Sequence, residues 1–149
     1  MKIIVGQGSC GIAAGATKVY SALEHEVASC ADISLGITGC IGMCYLEPIV
    51  DVYDENLLFA RFVKVQEADA ERITNAVKSK DLSAVGDLLI TEDDKAFLSQ
   101  QTRIALRNCG VIDPTSIDAY IAAGGYEAIK KILSGMTQDD VIDVIKVSG

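Results

Sequence analysis

Thr38-Gly39-Cys40-Ile41-Gly42-Met43-Cys44 sets two thiols three residues apart among small, flexible neighbours, and the segments on either side of this loop decide the fold. Upstream, Lys2 to Val5 is a short apolar run that stops at Gly6, the pattern of a buried strand. From Ala13 to about Val27 the apolar positions Ala16, Val19, Tyr20, Leu23 and Val27 recur every three or four residues, which predicts an amphipathic helix. Residues 31 to 37 form a weaker strand leading into the loop. Downstream, Pro48 to Tyr53, a turn at Asp54-Glu55-Asn56, and Leu57 to Val63 predict a β-hairpin. Helical spacing returns from Glu67 to about Lys78 through Ala70, Ile73 and Val77. The order β-α-β-β-β-α predicts an α/β (α+β) domain over residues 1–80, a small sheet flanked by helices.

The texture then changes. Residues 81–101, acidic and mixed from Asp81 to Asp94, are read as a connector with room for one helical turn. Residues 102–149 are read as helical, with one helix from Ser116 to about Leu133 interrupted at Gly124-Gly125 and another from Thr137 to about Val147. Thr137 is a good N-cap, and Asp139 and Asp140 in the first turn suit the helix dipole. Val141, Ile142 and Ile145 give that helix an apolar face. A section this short owns no large core, so it is expected to pack on something else.

Composition narrows the function. With 149 residues, half of them hydrophobic, the chain has material for one ordinary domain or a small domain with an appendage. Thirteen Lys and Arg against 21 Asp and Glu give a net charge of -8 and no basic stripe, which argues against nucleic acid as a partner. No apolar run approaches the roughly 20 residues of a membrane span, and Gly6 interrupts the N-terminal run too early for a signal peptide. Five cysteines cannot all pair within one chain. Clustered thiols of this kind in a cytoplasmic protein, the expected location, point to metal or redox work.

Cys10 lies in an earlier Gly-rich turn, and with Cys40 and Cys44 it makes a soft-ligand set suited to iron and sulfide. Gly39 and Gly42 allow backbone N–H groups to approach sulfur. The bland alternative is that all three are buried small hydrophobes. Gly6-Gln7-Gly8-Ser9-Cys10-Gly11 also spells G-x-G-x-x-G between a strand and a helix, with Asp32 about 20 positions on, which as a dinucleotide fingerprint would seat a pyrophosphate. The antiparallel hairpin that follows is the wrong context for it. Cys30 and Cys109 read as core or surface thiols, His25 as a solvated helix end, and Glu92-Asp93-Asp94 as a solvated charge run. Glu47 before Pro48 is biased to extended backbone and starts the strand.

Two stretches resemble a known family. Residues 1 to about 80, through Gly8-Ser9-Cys10-Gly11-Ile12-Ala13-Ala14-Gly15-Ala16 and Thr38 to Pro48, resemble the thioredoxin-like 2Fe-2S ferredoxin module. That module is fused to the N-terminus of flavin subunits in bacterial electron-bifurcating hydrogenases and related NADH dehydrogenases. Residues from about 102, through Arg107-Asn108-Cys109-Gly110-Val111-Ile112-Asp113-Pro114, Gly124-Gly125-Tyr126-Glu127-Ala128 and Val144 to Gly149, are similar to the lead-in helices of the same flavin subunit. The resemblance implies a 2Fe-2S cluster on Cys10, Cys40 and Cys44, and partners that are flavin-bearing and iron-sulfur subunits of a redox complex. It also implies that FMN and NAD bind in a missing or separate remainder, because this sequence stops at Ser148-Gly149, before the family's flavin-binding loop.

One departure touches the cluster itself. Cluster-binding members carry a cysteine five residues before the one matching Cys10, where this chain has Val5. Cys30 is the possible fourth ligand if its strand end folds towards the loop. The expected function is an electron-transfer module of an NADH-linked oxidoreductase complex, not catalytic alone. The alternatives are a cluster-free scaffold that docks on a flavin subunit and a thiol-disulfide oxidoreductase. The last is disfavoured because Cys40 and Cys44 are C-x3-C in a loop remote from the first helix, not C-x-x-C at its N-terminus.

Overall fold

The computed structural model describes all 149 residues. They divide into two compact units, Met1–Pro114 and Thr115–Gly149.

In the first unit, β1 (Lys2–Gly6) pairs in parallel with β2 (Ser34–Thr38) and antiparallel with β3 (Val50–Asp54), and β3 pairs antiparallel with β4 (Leu57–Phe62). The sheet order is β2-β1-β3-β4, so the first strand is central. Alternation explains which face is covered. Ile3, Val5, Val50, Val52, Ala60 and Phe62 point to one side and are nearly inaccessible to water. Two helices lie on that side: α2 (Ala16–Val27) through Ala16, Val19, Leu23 and Val27, and α3 (Ala70–Ser79) through Ala70, Ile73, Ala76 and Val77. The hairpin and both helical stripes are where periodicity predicts them.

The start of the first helix differs from the expectation. A short helix α1 (Ser9–Ala14) begins four residues earlier than Ala13, inside the Gly-rich stretch, and Gly15 at φ 105° separates it from α2. Glycine takes that left-handed turn without a Cβ penalty.

Beyond α3, the acidic stretch read as a connector holds a 3₁₀ segment, Ser83–Leu88, and a two-turn helix α4 (Glu92–Ser99) capped by Thr91, whose hydroxyl accepts from the Asp94 N–H. The acidic run is therefore a first turn placed where the helix dipole favours it. Val85 and Leu88 join the main core. A second, smaller core gathers Ile41, Met43, Leu46, Ile49, Val63 and Ile90, and it holds the thiol-bearing loop against the sheet end.

The second unit has three helices, α5 (Ile117–Ala122), α6 (Glu127–Leu133) and α7 (Gln138–Ser148), none with a buried residue. The break at Gly124-Gly125 has a packing reason: a Cβ on Gly125 would lie 2.3 Å from the Tyr120 ring, which itself meets Tyr126 edge to face at 5.0 Å. Thr137 caps α7 in a reciprocal box with Asp140. No helix of the chain is long and apolar enough to cross a membrane.

Candidate metal centre

Parallel pairing of β1 and β2 sends both chain exits to the same end of the sheet. Gly6 is opposite Thr38, so the turn carrying Cys10 and the loop carrying Cys40 leave side by side. Gln7 N–H donates to the Thr38 carbonyl at 2.8 Å and extends that pairing by one bond. The two segments then touch. A Cβ on Gly8 would lie 2.8 Å from Cys40 Cβ, and one on Gly11 would lie 2.4 Å from the Gly6 carbonyl oxygen. The glycines of the G-x-G-x-x-G pattern are thus spent on packing the first turn against the second loop. Cys40 packs directly over Gly8, which leaves no open glycine cradle for a dinucleotide pyrophosphate there.

As a result the sulfurs of Cys10, Cys40 and Cys44 all lie within 4.8 Å of one another. Cys40 Sγ and Cys44 Sγ are 3.7 Å apart, and Gly42 N–H donates to Cys40 Sγ at 3.3 Å. A 3₁₀ turn over Cys44–Leu46 returns the chain to β3. Beside Cys44, the Tyr45 hydroxyl donates to Asp94, which ties the loop to the start of α4. Cys44 is exposed, and Cys10 and Cys40 are half-buried. The hydrogen bonds from Cys10 and then Cys40 push the Cys44 thiol up to about 12. A thiol held protonated in this way is a poor nucleophile, which counts against thiol-disulfide exchange through Cys44.

Cys30 is not brought to this group. It precedes β2, whereas Cys10 and Cys40 follow β1 and β2, so a strand length of roughly 13 Å separates the two ends. Its thiol donates to the Glu26 carbonyl at 3.6 Å, and it lines a groove with Met1, Asp32, Asp54 and Lys80. The strand end does not fold towards the loop because the Met1 backbone and amino group anchor it through Ser34 and Asp32. Val5 is wholly buried in the core, paired with Ile37 and Val50.

The residues present fit an iron-sulfur group in kind. Three thiols converge at a surface, one already accepts a backbone N–H, and no histidine or carboxylate belongs to the group. Four thiolates are the usual complement, one more than this group offers.

Glu47 lies beside the site although no local sequence signal points to it. It is buried under the first turn, where Ile49 N–H donates to its Oε2 at 2.9 Å, and a Cβ on Gly6 or Gly11 would lie 3.2 or 3.1 Å from the same oxygen. Burial pushes the Glu47 carboxyl above its ordinary value, against the Ile49 hydrogen bond and with some help from the Asp51 charge. A raised folded value means the folded chain holds this proton more firmly than the unfolded chain. The contribution of Glu47 is therefore complete below the unfolded carboxyl value of about 4.3 and is lost as pH rises through the folded value. Glu47→Gln keeps an acceptor for Ile49 and removes the buried charge. It is expected to raise the urea midpoint at pH 7, with the gain shrinking towards pH 4; a gain that does not vary with pH would contradict this account.

Comparison with known proteins agrees with the architecture. No protein-family model matches the chain. The wild-type thioredoxin-like [2Fe-2S] ferredoxin from Aquifex aeolicus superposes with a TM-score of 0.51 at 18% identity, covering 61% of this chain and 96% of the ferredoxin. Its Cys59Ser variant gives 0.53 at 17% identity, covering 61% and 98%. In sequence, 50 residues are 58% identical to the NADP-reducing hydrogenase subunit HndC of Solidesulfovibrio fructosivorans, a match spanning 34% of this chain and 10% of that subunit. The chain thus has the fold of the thioredoxin-like 2Fe-2S ferredoxins and shares a segment of close sequence likeness with a hydrogenase subunit.

Proposed function

We propose that the first unit is an electron-transfer module in which Cys10, Cys40 and Cys44 hold a 2Fe-2S cluster, within an NADH- or NADPH-linked redox complex. The observation that carries this reading is the convergence of three sulfurs within 4.8 Å on a ferredoxin fold. When bound, such a cluster supplies one-electron chemistry. The chain's own residues supply the rest. Cys10, Cys40 and Cys44 give up their thiol protons to become ligands, Gly42 N–H offsets charge on Cys40, and the small core around Met43 and Leu46 keeps water from one side of the loop. The exposed edge at Cys44 and Tyr45 faces a docking partner. On this reading residues 102–149 are the lead-in to a flavin-bearing body, FMN and NAD bind outside this chain, and the assembly is cytoplasmic, where reduced thiols persist.

Reconstitution of the purified chain under anaerobic conditions with ferrous iron and sulfide tests the proposal. About two irons and two sulfides per chain, with visible absorption, are expected. Cys40→Ser combined with Cys44→Ser should lose both. The scaffold reading is favoured by one observation, the buried Val5 at a usual ligand position. It predicts a colourless parent and a double variant that still assembles with its complex.

A further inference from the structure

A fifth cysteine lies where the fold brings its backbone to the thiol loop. Residues 100–116 contain turns but no helix or strand, and their path crosses the C-terminal end of β2. The Thr38 hydroxyl donates to the Ile112 carbonyl at 3.0 Å. Gly110, at φ 82°, comes so near the loop that a Cβ there would lie 2.6 Å from Ile41 Cγ2. Leu106 Cδ1 is 3.7 Å from the point where a Cβ on Gly42 would stand. Ile41 and Gly42 are the two residues that follow Cys40, and Cys109 sits between the two segments that touch them. A turn in which Cys109 N–H donates to the Leu106 carbonyl at 3.0 Å holds these contacts together.

Resting on the iron-sulfur reading above, we propose that Cys109 is the fourth thiolate of the site formed by Cys10, Cys40 and Cys44. The other places for a fourth sulfur are closed: Val5 carries none, and Cys30 is at the far end of the sheet. Cys109 is half-buried and makes no disulfide. Its sulfur stands outside the group of three, and the turn that carries it belongs to no strand or helix, so ligation requires that turn to move towards Cys40 and Cys44. On ligation the Cys109 thiol would lose its proton to solvent and its sulfur would complete the set of four thiolates. The cluster would then be closed by a segment some 70 residues away in sequence, coupling its loading to the ordering of residues 106–112.

The test uses the full chain. After anaerobic reconstitution, the loaded and metal-free forms are alkylated with iodoacetamide and the modified cysteines mapped by peptide mass. Cys109 is expected to be protected on loading together with Cys10, Cys40 and Cys44, while Cys30 labels alike in both forms. Equal labelling of Cys109 in the two forms overturns the proposal. Independently, Cys109→Ser is expected to shift the electron paramagnetic resonance spectrum of the reduced protein and to speed iron loss to a chelator by more than the roughly 10-fold cost of losing an outer partner. A spectrum and iron-loss rate identical to the parent also overturn it. If Cys109→Ser fails to fold by circular dichroism, the labelling map of the parent decides. A parent that takes up no iron and sulfide defeats the iron-sulfur reading itself, and this inference with it.

Discussion

Asp51→Ala is expected to cost about 3–5 kcal/mol of stability, the loss typical of breaking a buried ion pair from one side. Asp51 on β3 and Arg61 on β4 are direct cross-strand partners, on the sheet face away from α2 and α3. Arg61 Nε and Nη2 donate to the two carboxylate oxygens, each at 2.6 Å, and the side chains are only 14% and 3% exposed. Burial by itself would lower the Arg61 pKa, but the Asp51 hydrogen bonds and charge outweigh it and hold the guanidinium above its ordinary value. Removing the carboxylate leaves a cation that cannot shed its charge in a place water scarcely reaches. Domains of this size have about 5–15 kcal/mol in hand, so the variant would sit near the limit of folding. The pair as a whole is a different matter. Asp51→Leu with Arg61→Met is expected to regain most of the loss, because both desolvation costs vanish together. Urea unfolding at constant m-value measures both, and a loss under 1 kcal/mol for Asp51→Ala would refute the account.

Gly11→Ala is expected to be the most damaging small substitution near the thiols. Its Cβ would lie 2.4 Å from the Gly6 carbonyl oxygen, and both atoms belong to backbone that the sheet and α1 hold in place. Relief requires α1 to move away from β1, and Cys10 moves with it. A cost of about 1–3 kcal/mol is expected from the overpacking, together with a loss of iron retained after reconstitution. Gly39→Ala is the matched control. It is adjacent to Cys40, its Cβ would meet nothing within 4 Å, and its φ is not in the left-handed range. That change should fall within about 0.5 kcal/mol of the parent and keep its iron. Similar melting temperatures and iron contents for the two variants would contradict the packing role given to Gly11.

Periodicity was enough to read α2, α3 and the β3-β4 hairpin, because each places one apolar face against one core and the pattern is local. The early start of α1 was hidden for the opposite reason. Gly8, Gly11 and Gly15 look like a loop, and only the contacts of Gly8 with Cys40 and of Gly11 with Gly6 show that two of these glycines serve close packing next to a helix. Glu92-Asp93-Asp94 is the solvated run its composition suggests, and the Thr91 cap shows that it is also the first turn of a helix. For the thiols, spacing linked Cys40 to Cys44, but the place of Cys10 beside them depends on the parallel register of β1 with β2, and that is a non-local fact. Cys109 illustrates the limit most clearly. Nothing within ten residues of it refers to Ile41 or Gly42, and its nearness to them follows from the path of residues 106–112 across the sheet end.

The pairing of Gly6 with Thr38 and Val5 with Ile37 has one more consequence. A slip of β1 against β2 by a single residue would shift Cys10 along the sheet by about 3.3 Å and exchange the faces of every side chain in the strand. The buried Ile3 and Val5 would turn outward, and the three sulfurs would no longer meet. A chain misaligned in this way would lack the three-sulfur corner altogether, so strand alignment decides whether the site exists at all.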